Sequence, residues 1–334
     1  MMYTLEESGS FLIRDFNNAP AFSSFLPGIA GRFGIPLWCF YVNRGQAVTS
    51  FGTRDKDHAI LEFEAANKAY ACTFEHGFRT FIRTKDAFYE PFTLGSGSVP
   101  AQMHIRSASL ELEETNERLG LRLRVRYCTL PSRDFAALVR DVEITNIAGT
   151  PLEFDLADGL PQITPYGMNN WVLKHMSRTI EAWIDTGIRQ DVATYRLRVD
   201  PADVAETTFI KGAHFYFGLI QSAGRQSRLQ PVVDPAVLYK EDTGYAFPHL
   251  FADPGFGYPK QQVMTGKTPA AFGYARVTLQ AGETARLSSF IGSVEEESRL
   301  HAFASQIKIA DVDAMFDENE RIVKEITDNA AVTS

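Results

Sequence analysis

One stretch of strict alternation between apolar and polar residues, 109–130, most constrains how this chain can fold. Its second half, LRLRVRY, places an arginine at every second position between leucine, valine and tyrosine. A period of two marks a strand with one buried face and one polar face. The polar cluster at 115–118 interrupts the alternation and predicts a turn. We therefore predict a long antiparallel hairpin within a large sheet that is wet on one face.

Charge matching predicts the register of this hairpin. One register places Glu113 opposite Arg122 and Glu111 opposite Arg124 on the wet face. The same register brings leucine and valine side chains together on the dry face. A slip of one residue would bury the arginines, so this pairing is the expected one.

Short strand-like segments separated by Gly, Pro and Asn recur along the rest of the chain up to residue 294. Such repetition is typical of an all-β sandwich or barrel. The segment 270–294 predicts a second hairpin, because AAFGYARVTLQ and TARLSSFIGSV flank the turn residues Ala-Gly-Glu. The predicted fold class is mainly β, a large antiparallel β-sandwich followed by C-terminal helices.

The end of the chain changes from strand to helix patterning. Ser293 has Glu296 three residues later, a capping box that predicts a helix start, and Asp311 caps a final helix. The predicted domains are therefore a sandwich at 1–294 and a helical linker at 295–334.

The segment 222–269 is the least regular part of the chain and carries six prolines. A loop of this length inside a compact domain is usually functional or poorly ordered. Its aromatic residues predict a lid or an interface, since exposed aromatic side chains favour partner surfaces. The residues concerned are Phe247, His249, Phe251 and Phe256.

Composition excludes several classes of partner. The net charge of −8 argues against nucleic acid and against anionic membranes, both of which attract basic surfaces. No apolar run approaches the roughly 20 residues of a spanning helix, and the acidic N-terminus has no signal-peptide pattern. Three cysteines without close spacing favour a reducing compartment, so we expect a cytoplasmic protein. Seven scattered histidines show no metal-ligand spacing, and we predict no metal and no cofactor.

The best candidate for ligand binding is the segment YGMNNWVLK, which breaks the strand pattern and has nearer to helical spacing. It combines an aromatic platform with amides and a cation, and these groups suit the apolar faces and dense hydroxyls of sugars. The predicted contact residues are Tyr166, Asn169, Asn170, Trp171 and Lys174. The alternative is that Trp171 fills the core while the amides cap a turn, and the sequence leaves both open.

Two further polar positions are ambiguous. Arg44, in the turn Asn-Arg-Gly, is either a surface charge or a contact to a sugar or an anion, and we keep it as a candidate. Asp55 and Asp57 could serve acid–base chemistry, although Asp is common in solvated turns. Asp158, followed by Gly159 at a strand end, has the same two interpretations.

The run FSSFLPGIAGRFGIPLWCFYVNRGQAVTSFGTRDKDHAILEFEAANKAY resembles the start of the disaccharide and oligoglucan phosphorylases of glycoside hydrolase family 94. The later segments RYCTLP, FAALVRDVEITN and DGLPQITPYGMNNWVLKHMSRTIEAW are similar to the same family. The resemblance implies a galactose-mutarotase-like β-sandwich and a helical linker that leads to an (α/α)6 barrel. In the family that barrel carries the catalytic aspartic acid and the phosphate site. No catalytic residue carries over to this chain, and inorganic phosphate is a substrate of the complete enzyme.

Three functions remain open. The first is a non-catalytic sandwich domain of a β-glucan phosphorylase that contributes to carbohydrate binding and subunit assembly. Its expected partners are a β-glucooligosaccharide and either a second copy or a catalytic barrel. The second is a stand-alone carbohydrate-binding protein. The third is a mutarotase-like sugar epimerase, in which His175 or His214 would meet a carboxylate in one cleft.

Overall fold

The computed structural model describes residues 2–95, 98–202 and 205–330. The strands of the first half are β1 (Tyr3–Leu5), β2 (Phe11–Arg14), β3 (Ser23–Leu26), β4 (Leu37–Val42), β5 (Val48–Thr53), β6 (Ala59–Leu61), β7 (Arg79–Thr84), β8 (Phe88–Tyr89), β9 (Ala101–Ile105), β10 (Leu110–Asn116), β11 (Leu121–Thr129), β12 (Ala136–Asn146) and β13 (Leu152–Leu160). The later strands are β14 (Ile184–Arg189), β15 (Val192–Leu197), β16 (Ala213–Ser222), β17 (Arg225–Arg228), β18 (Gln230–Val232), β19 (Ala271–Leu279) and β20 (Thr284–Val294). The α-helices are α1 (Ala66–Cys72), α2 (Asn170–His175), α3 (Ala236–Tyr239), α4 (Glu297–Gln306) and α5 (Val312–Ala330). Short 3₁₀ helices span Phe16–Asn18, Lys56–His58, Ser177–Trp183 and Ile309–Asp311.

The described strands form three antiparallel sheets that share one main core. The largest has eleven strands in the order β1-β2-β9-β10-β11-β12-β20-β16-β15-β14, with β17 paired to β16. A five-stranded sheet (β18-β19-β13-β7-β8) and a four-stranded sheet (β3-β4-β5-β6) contribute to the same core. Val125, Leu156 and Val48, one from each sheet, are fully buried in it, together with the free thiol of Cys39. The predicted mainly β, antiparallel sandwich with C-terminal helices is confirmed.

The hairpin of β10 and β11 is confirmed, but its register differs from the predicted one. Glu113 pairs with Arg124, two positions further along β11 than expected. An even shift keeps every side chain on its predicted face, because strand faces alternate with a period of two. The strand continues through Asn116, whose Oδ1 accepts a hydrogen bond from the Leu119 amide. Gly120 then takes the left-handed turn position at φ 67°, so turn chemistry sets the exact pairing.

The polar face of this hairpin is less wet than predicted. Glu111 is buried and accepts a hydrogen bond from Arg124 at 2.7 Å, diagonally across the two strands. Helix α5 covers part of the same face. From that helix, Asp313 accepts a hydrogen bond from Arg126 at 2.8 Å, and the Phe316 ring lies 4.4 Å from the Arg126 guanidinium carbon.

The predicted second hairpin is wrong, because β19 and β20 belong to different sheets. The chain crosses from one layer to the other between them, as it also does between β12 and β13. The buried side chain of Asn146 ties the two crossings together. Its Nδ2 donates to the carbonyls of Thr150 at 2.9 Å and Leu279 at 3.1 Å. Turn residues predict a reversal of the chain, and they do not distinguish a hairpin from a crossing between layers.

The irregular segment 222–269 contains strands β17 and β18, and its residues 237–258 form an ordered layer over the outer face of the five-stranded sheet. Arg79 and Arg83 of β7 hold it, since their guanidinium groups donate to the backbone carbonyls of Tyr245 and Asp253. Phe251, predicted to belong to a lid or an interface, is instead fully buried in an aromatic cluster of this layer. Phe256 is partly buried against the same cluster, and Phe247 is 40% exposed, with the His249 ring 5.1 Å away.

The C-terminal helices pack on the outer face of the large sheet. Phe303 of α4 meets Phe217 and Phe290 of the sheet at ring distances of 6.1 and 5.6 Å. The predicted helix start at Ser293 is wrong, because that residue is still in β20 and Glu296 takes the N-cap position. The last four residues of the predicted linker lie outside the described residues. Within the described ranges, every helix is too short or too polar to cross a membrane.

A fully buried ion pair connects the three sheets. Arg140 of β12 donates to both carboxylate oxygens of Asp158 of β13, at 3.0 and 2.7 Å. Thr80 of β7 donates to the same carboxylate at 2.7 Å, and Arg140 also donates to the side-chain oxygen of Gln46 in the β4–β5 turn. The Tyr127 hydroxyl donates to the Gln46 carbonyl at 2.8 Å. Asp158 is therefore a structural residue, and its interpretation as a candidate for acid–base chemistry is wrong.

We expect Asp158→Asn to destabilise the fold by about 3–5 kcal/mol, because it leaves the Arg140 charge buried without a counter-ion. Urea unfolding followed by circular dichroism measures the loss. The matched control is Glu153→Gln on the same strand, which removes an exposed ion pair to Arg276 at 2.8 Å. That control should cost less than about 1 kcal/mol. Equal losses in the two variants would contradict the role assigned to the buried pair.

Candidate functional site

The segment 163–184 lies between two cavities. The larger is a cleft of about 900 Å³ where the large sheet meets the end of the four-stranded sheet. Pairing of Ser293 with both Ala136 and His214 brings the ends of β20, β12 and β16 together at its base. Polar groups from these ends and from the segment after β5 complete the wall. The acidic and basic residues that line the cleft are Arg54, Asp57, His58, Asp134, Asp200, His214 and Glu295.

Two tryptophans form an aromatic surface of the cleft. Trp171 of α2 is 57% exposed and Trp183 is 36% exposed. The alternative that Trp171 fills the core is therefore wrong. The second part of that alternative is correct, since Asn169 caps α2 by accepting a hydrogen bond from the Val172 amide at 2.9 Å. Its Nδ2 donor is not used by the cap, so Asn169 can both position the helix and contact a ligand.

Hydrogen bonds fix this helix and the neighbouring loop in place. The Asn170 amide donates to Asp57 Oδ1 at 3.1 Å, which links α2 to the segment after β5. The Tyr166 hydroxyl donates to Glu295 Oε2 at 2.8 Å. Burial, followed by this carboxylate, raises the pKa of Tyr166 to about 12. The phenol is therefore a hydrogen-bond donor at neutral pH.

Two histidines line the cleft, and they differ in burial. His214 is buried, and its Nδ1 lies 2.6 Å from the Thr164 carbonyl oxygen, which can only accept. Nδ1 therefore carries the proton and Nε2 is the basic nitrogen. Burial lowers the pKa of His214 to about 4, so the ring is neutral at pH 7. His58 is partly exposed and contacts Asp55 at 2.8 Å, and this hydrogen bond lowers the pKa of the Asp55 carboxyl.

The structure brings together only part of the predicted set. Tyr166, Asn169 and Trp171 line the cleft, whereas Asn170 is not among the lining residues and its backbone amide donates to Asp57. Lys174 is exposed on α2 and is not among the residues lining the cleft.

Arg44, also predicted as a contact residue, is not among the residues lining the cleft. Its guanidinium donates to the backbone carbonyls of Phe16 at 3.2 Å and Ala19 at 3.0 Å. It also lies 5.7 Å from the ring centre of Tyr70. Because its donors are used by loop carbonyls, Arg44 holds the N-terminal segment against the β4–β5 turn.

Sequence reasoning missed Trp183, Glu295 and Asp134 as cleft residues. Asp134 and Glu295 lie beside strand ends without a motif and reach the cleft through the pairing of β12 with β20, whereas Trp183 ends the 3₁₀ helix of the segment 163–184. Asp57 was considered as a candidate for acid–base chemistry, and its neighbour His58 in the same turn could have indicated a site there. Among the described residues, no group of three or more His, Cys, Asp or Glu side chains is arranged to hold a metal ion.

Comparisons with known proteins give distant structural similarities. No family model matches the chain, and a comparison with curated proteins finds no match. One similar solved structure is a polysaccharide lyase, 10% identical, with a TM-score of 0.41 over 78% of this chain and 33% of that one. Another is a putative kojibiose phosphorylase from human microbiome, 8% identical, with a TM-score of 0.35 over 94% of this chain and 32% of that one. The chain spans about a third of the length of each.

The buried His214 predicts a specific dependence of stability on pH. Its pKa is about 4 in the folded chain against 6.5 in the unfolded chain. Between these values the unfolded state binds more protons, so stability falls as pH falls from 6.5 to 4, by about 3 kcal/mol for this residue. We expect His214→Gln to remove this part of the slope in urea unfolding measured at several pH values.

The control is His175→Gln, which removes an exposed histidine of α2. We expect its stability to follow the wild-type pH profile, because this side chain is solvated in both states. Parallel pH profiles for His214→Gln and the wild type would show that His214 is not held neutral by the fold.

Proposed function

We propose that this chain is a carbohydrate-binding β-sandwich, and that it serves as the non-catalytic sandwich portion of a β-glucan phosphorylase related to glycoside hydrolase family 94. The observation that carries the proposal is the cleft, whose lining combines two exposed tryptophans with the Asn169 amide, carboxylates and a tyrosine hydroxyl. Tryptophan faces suit the apolar C–H faces of sugars, while the polar groups pair with hydroxyls. The sequence resemblance supports the choice of a β-glucooligosaccharide and of a phosphorylase.

The charge of the cleft favours a neutral ligand. Four carboxylates line it, against one arginine and His58. Carboxylates accept hydrogen bonds from hydroxyl groups, and they repel phosphate groups. This balance supports sugar binding without a phosphate site, as expected if phosphate is bound by another part of the complete enzyme. On this proposal the expected partner is a catalytic barrel or a second copy of the chain.

We expect Trp171→Ala to weaken the binding of β-1,2-glucooligosaccharides about tenfold, equivalent to roughly 1.4 kcal/mol. The loss follows from removing an aromatic side chain that a sugar ring would cover, since such anchors dominate binding energy. Isothermal titration calorimetry of the full chain measures the dissociation constant.

The matched control is Phe25→Ala. Phe25 is 53% exposed, close to the exposure of Trp171, but it lies on the outer strand of the four-stranded sheet beside Phe40. We expect wild-type affinity for this variant. Equal weakening by both substitutions, or no binding by the wild type, would contradict the cleft as a glucan site.

A sugar epimerase is a second candidate, favoured by one observation. His214 and Glu295 line the same cleft, and Tyr166 lies between them. Its ring centre is 5.4 Å from that of His214, and its hydroxyl is bonded to Glu295. A neutral imidazole with a basic Nε2 can take a proton from the anomeric hydroxyl of a sugar, and a carboxylic acid or phenol can return one to the ring oxygen.

This candidate predicts that the chain accelerates the interconversion of the α and β anomers of D-glucose. Polarimetry measures the rate, and we expect His214→Gln to abolish any acceleration. The rate should be independent of pH above about 5, because the pKa of His214 is about 4. A wild-type rate equal to the uncatalysed rate excludes the epimerase and leaves the binding proposal intact.

A further inference from the structure

A second cavity, of about 300 Å³, lies on the other side of the segment 163–184. Its remaining walls come from the end of β6 and from the ordered layer formed by residues 222–269. Among the described residues, Met168 alone lines both cavities. Neighbouring residues of the dividing segment face opposite sides, with Val172 and Trp183 in the cleft and Leu173 and Glu181 in the second cavity. The two cavities are therefore separate spaces.

One part of the second cavity is apolar and another is polar. Leu61, Ile163, Leu173, Ile180 and Ile184 form the apolar part. The polar part carries amide, hydroxyl, carboxylate and ammonium groups. Its members include Glu62, Gln162, Glu181, Lys240, Lys267 and Thr268.

Several of these polar groups are already paired, and one acid is not. Glu181 accepts a hydrogen bond from Thr268 at 2.7 Å, and Lys267 is paired with Asp234 at 2.5 Å. Glu62 is half-buried, and within the described part of the chain its carboxyl has no hydrogen bond or ion pair. Burial, followed by the nearby Glu64, raises the pKa of Glu62 above its usual value, and the carboxyl oxygens of Glu62 can accept hydrogen bonds from a ligand.

Size, polarity and charge together define the class of ligand. A volume of about 300 Å³ is at the lower end of the range for ligand pockets, roughly 300–1,000 Å³, so only a small molecule fits. Lysines do not outnumber carboxylates among the lining residues, so the charge of the second cavity does not favour an anionic ligand. A lining that combines aliphatic side chains with hydrogen-bond donors and acceptors matches a small polyhydroxylated ring.

We propose that this second cavity is a binding site for a single neutral monosaccharide, distinct from the cleft that binds an oligosaccharide. In this site the apolar part contacts the C–H face of the ring, and Glu62 with Gln162 pairs with its hydroxyl groups. The site does not depend on the proposed glucan cleft, because apart from Met168 each cavity is lined by its own residues.

The test measures D-glucose binding to the full chain by saturation-transfer NMR, beside the calorimetric titration of β-1,2-glucooligosaccharide. Ala236→Phe fills the second cavity from the first residue of α3, and we expect it to weaken D-glucose binding at least tenfold without changing oligosaccharide affinity. Trp171→Ala changes the cleft, so D-glucose binding that falls with Trp171→Ala and not with Ala236→Phe belongs to the cleft and overturns the second site. Glu62→Gln is a second variant, which keeps the test possible if Ala236→Phe does not fold. We expect it to weaken D-glucose binding several-fold.

The outcomes separate this inference from the proposed function. Loss of D-glucose binding in Ala236→Phe, with no oligosaccharide bound by the wild type, supports the second site and rejects the glucan cleft. If the wild type binds oligosaccharide, and neither Ala236→Phe nor Glu62→Gln weakens D-glucose binding, the second site alone is overturned. No D-glucose binding by the wild type also overturns it. Tighter binding of glucose 6-phosphate than of D-glucose overturns the ligand class.

Discussion

The buried ion pair between Arg140 and Asp158 is the interaction on which the arrangement of the sheets depends. Each partner is fully buried and comes from a different sheet, and Gln46 brings the third sheet into the same hydrogen-bond network. A buried charge without its partner is costly, so this network disfavours any packing that separates the layers. The apolar contacts of the core are less directional and tolerate sliding. The ion pair therefore specifies the relative position of sheets that hydrophobic burial holds together.

The faces of the strands could be predicted from the sequence, but the pairing of the strands could not. Alternation in β10 and β11 shows which side chains are buried, because it depends only on neighbours along the chain. The register depended on where Asn116 and Gly120 place the turn, and the prediction was wrong by two residues. The crossing between β19 and β20 shows the same limit. Its turn residues are typical of a hairpin. Contacts between distant parts of the chain, such as those of Asn146, are needed to show that two crossings lie side by side.

The segment 222–269 shows how a proline-rich stretch without strand periodicity can still be ordered. Its order comes from another part of the chain, because Arg79 and Arg83 of β7 supply donors to its carbonyls. Their guanidinium groups also lie over aromatic rings of the layer, with Arg83 5.5 Å from the ring centre of Phe256. Composition alone predicts a loop here, since the partners of its backbone are 166 and 170 residues away in sequence. The layer then supplies a wall of the second cavity.

The candidate site was predictable on one wall only. Tyr166, Asn169 and Trp171 form a contiguous segment that breaks the strand pattern, so local sequence was sufficient to find them. The opposite wall is assembled by the pairing of Ser293 with Ala136 and His214, which joins the ends of three strands. A site built in this way inherits its geometry from the registers within the large sheet. The dividing segment 163–184 is fixed from both sides, by Asp57 in the cleft and by the contact of Glu181 with Thr268 beyond it. Ligands on either side would therefore meet a preformed wall, and neither would have to order it on binding.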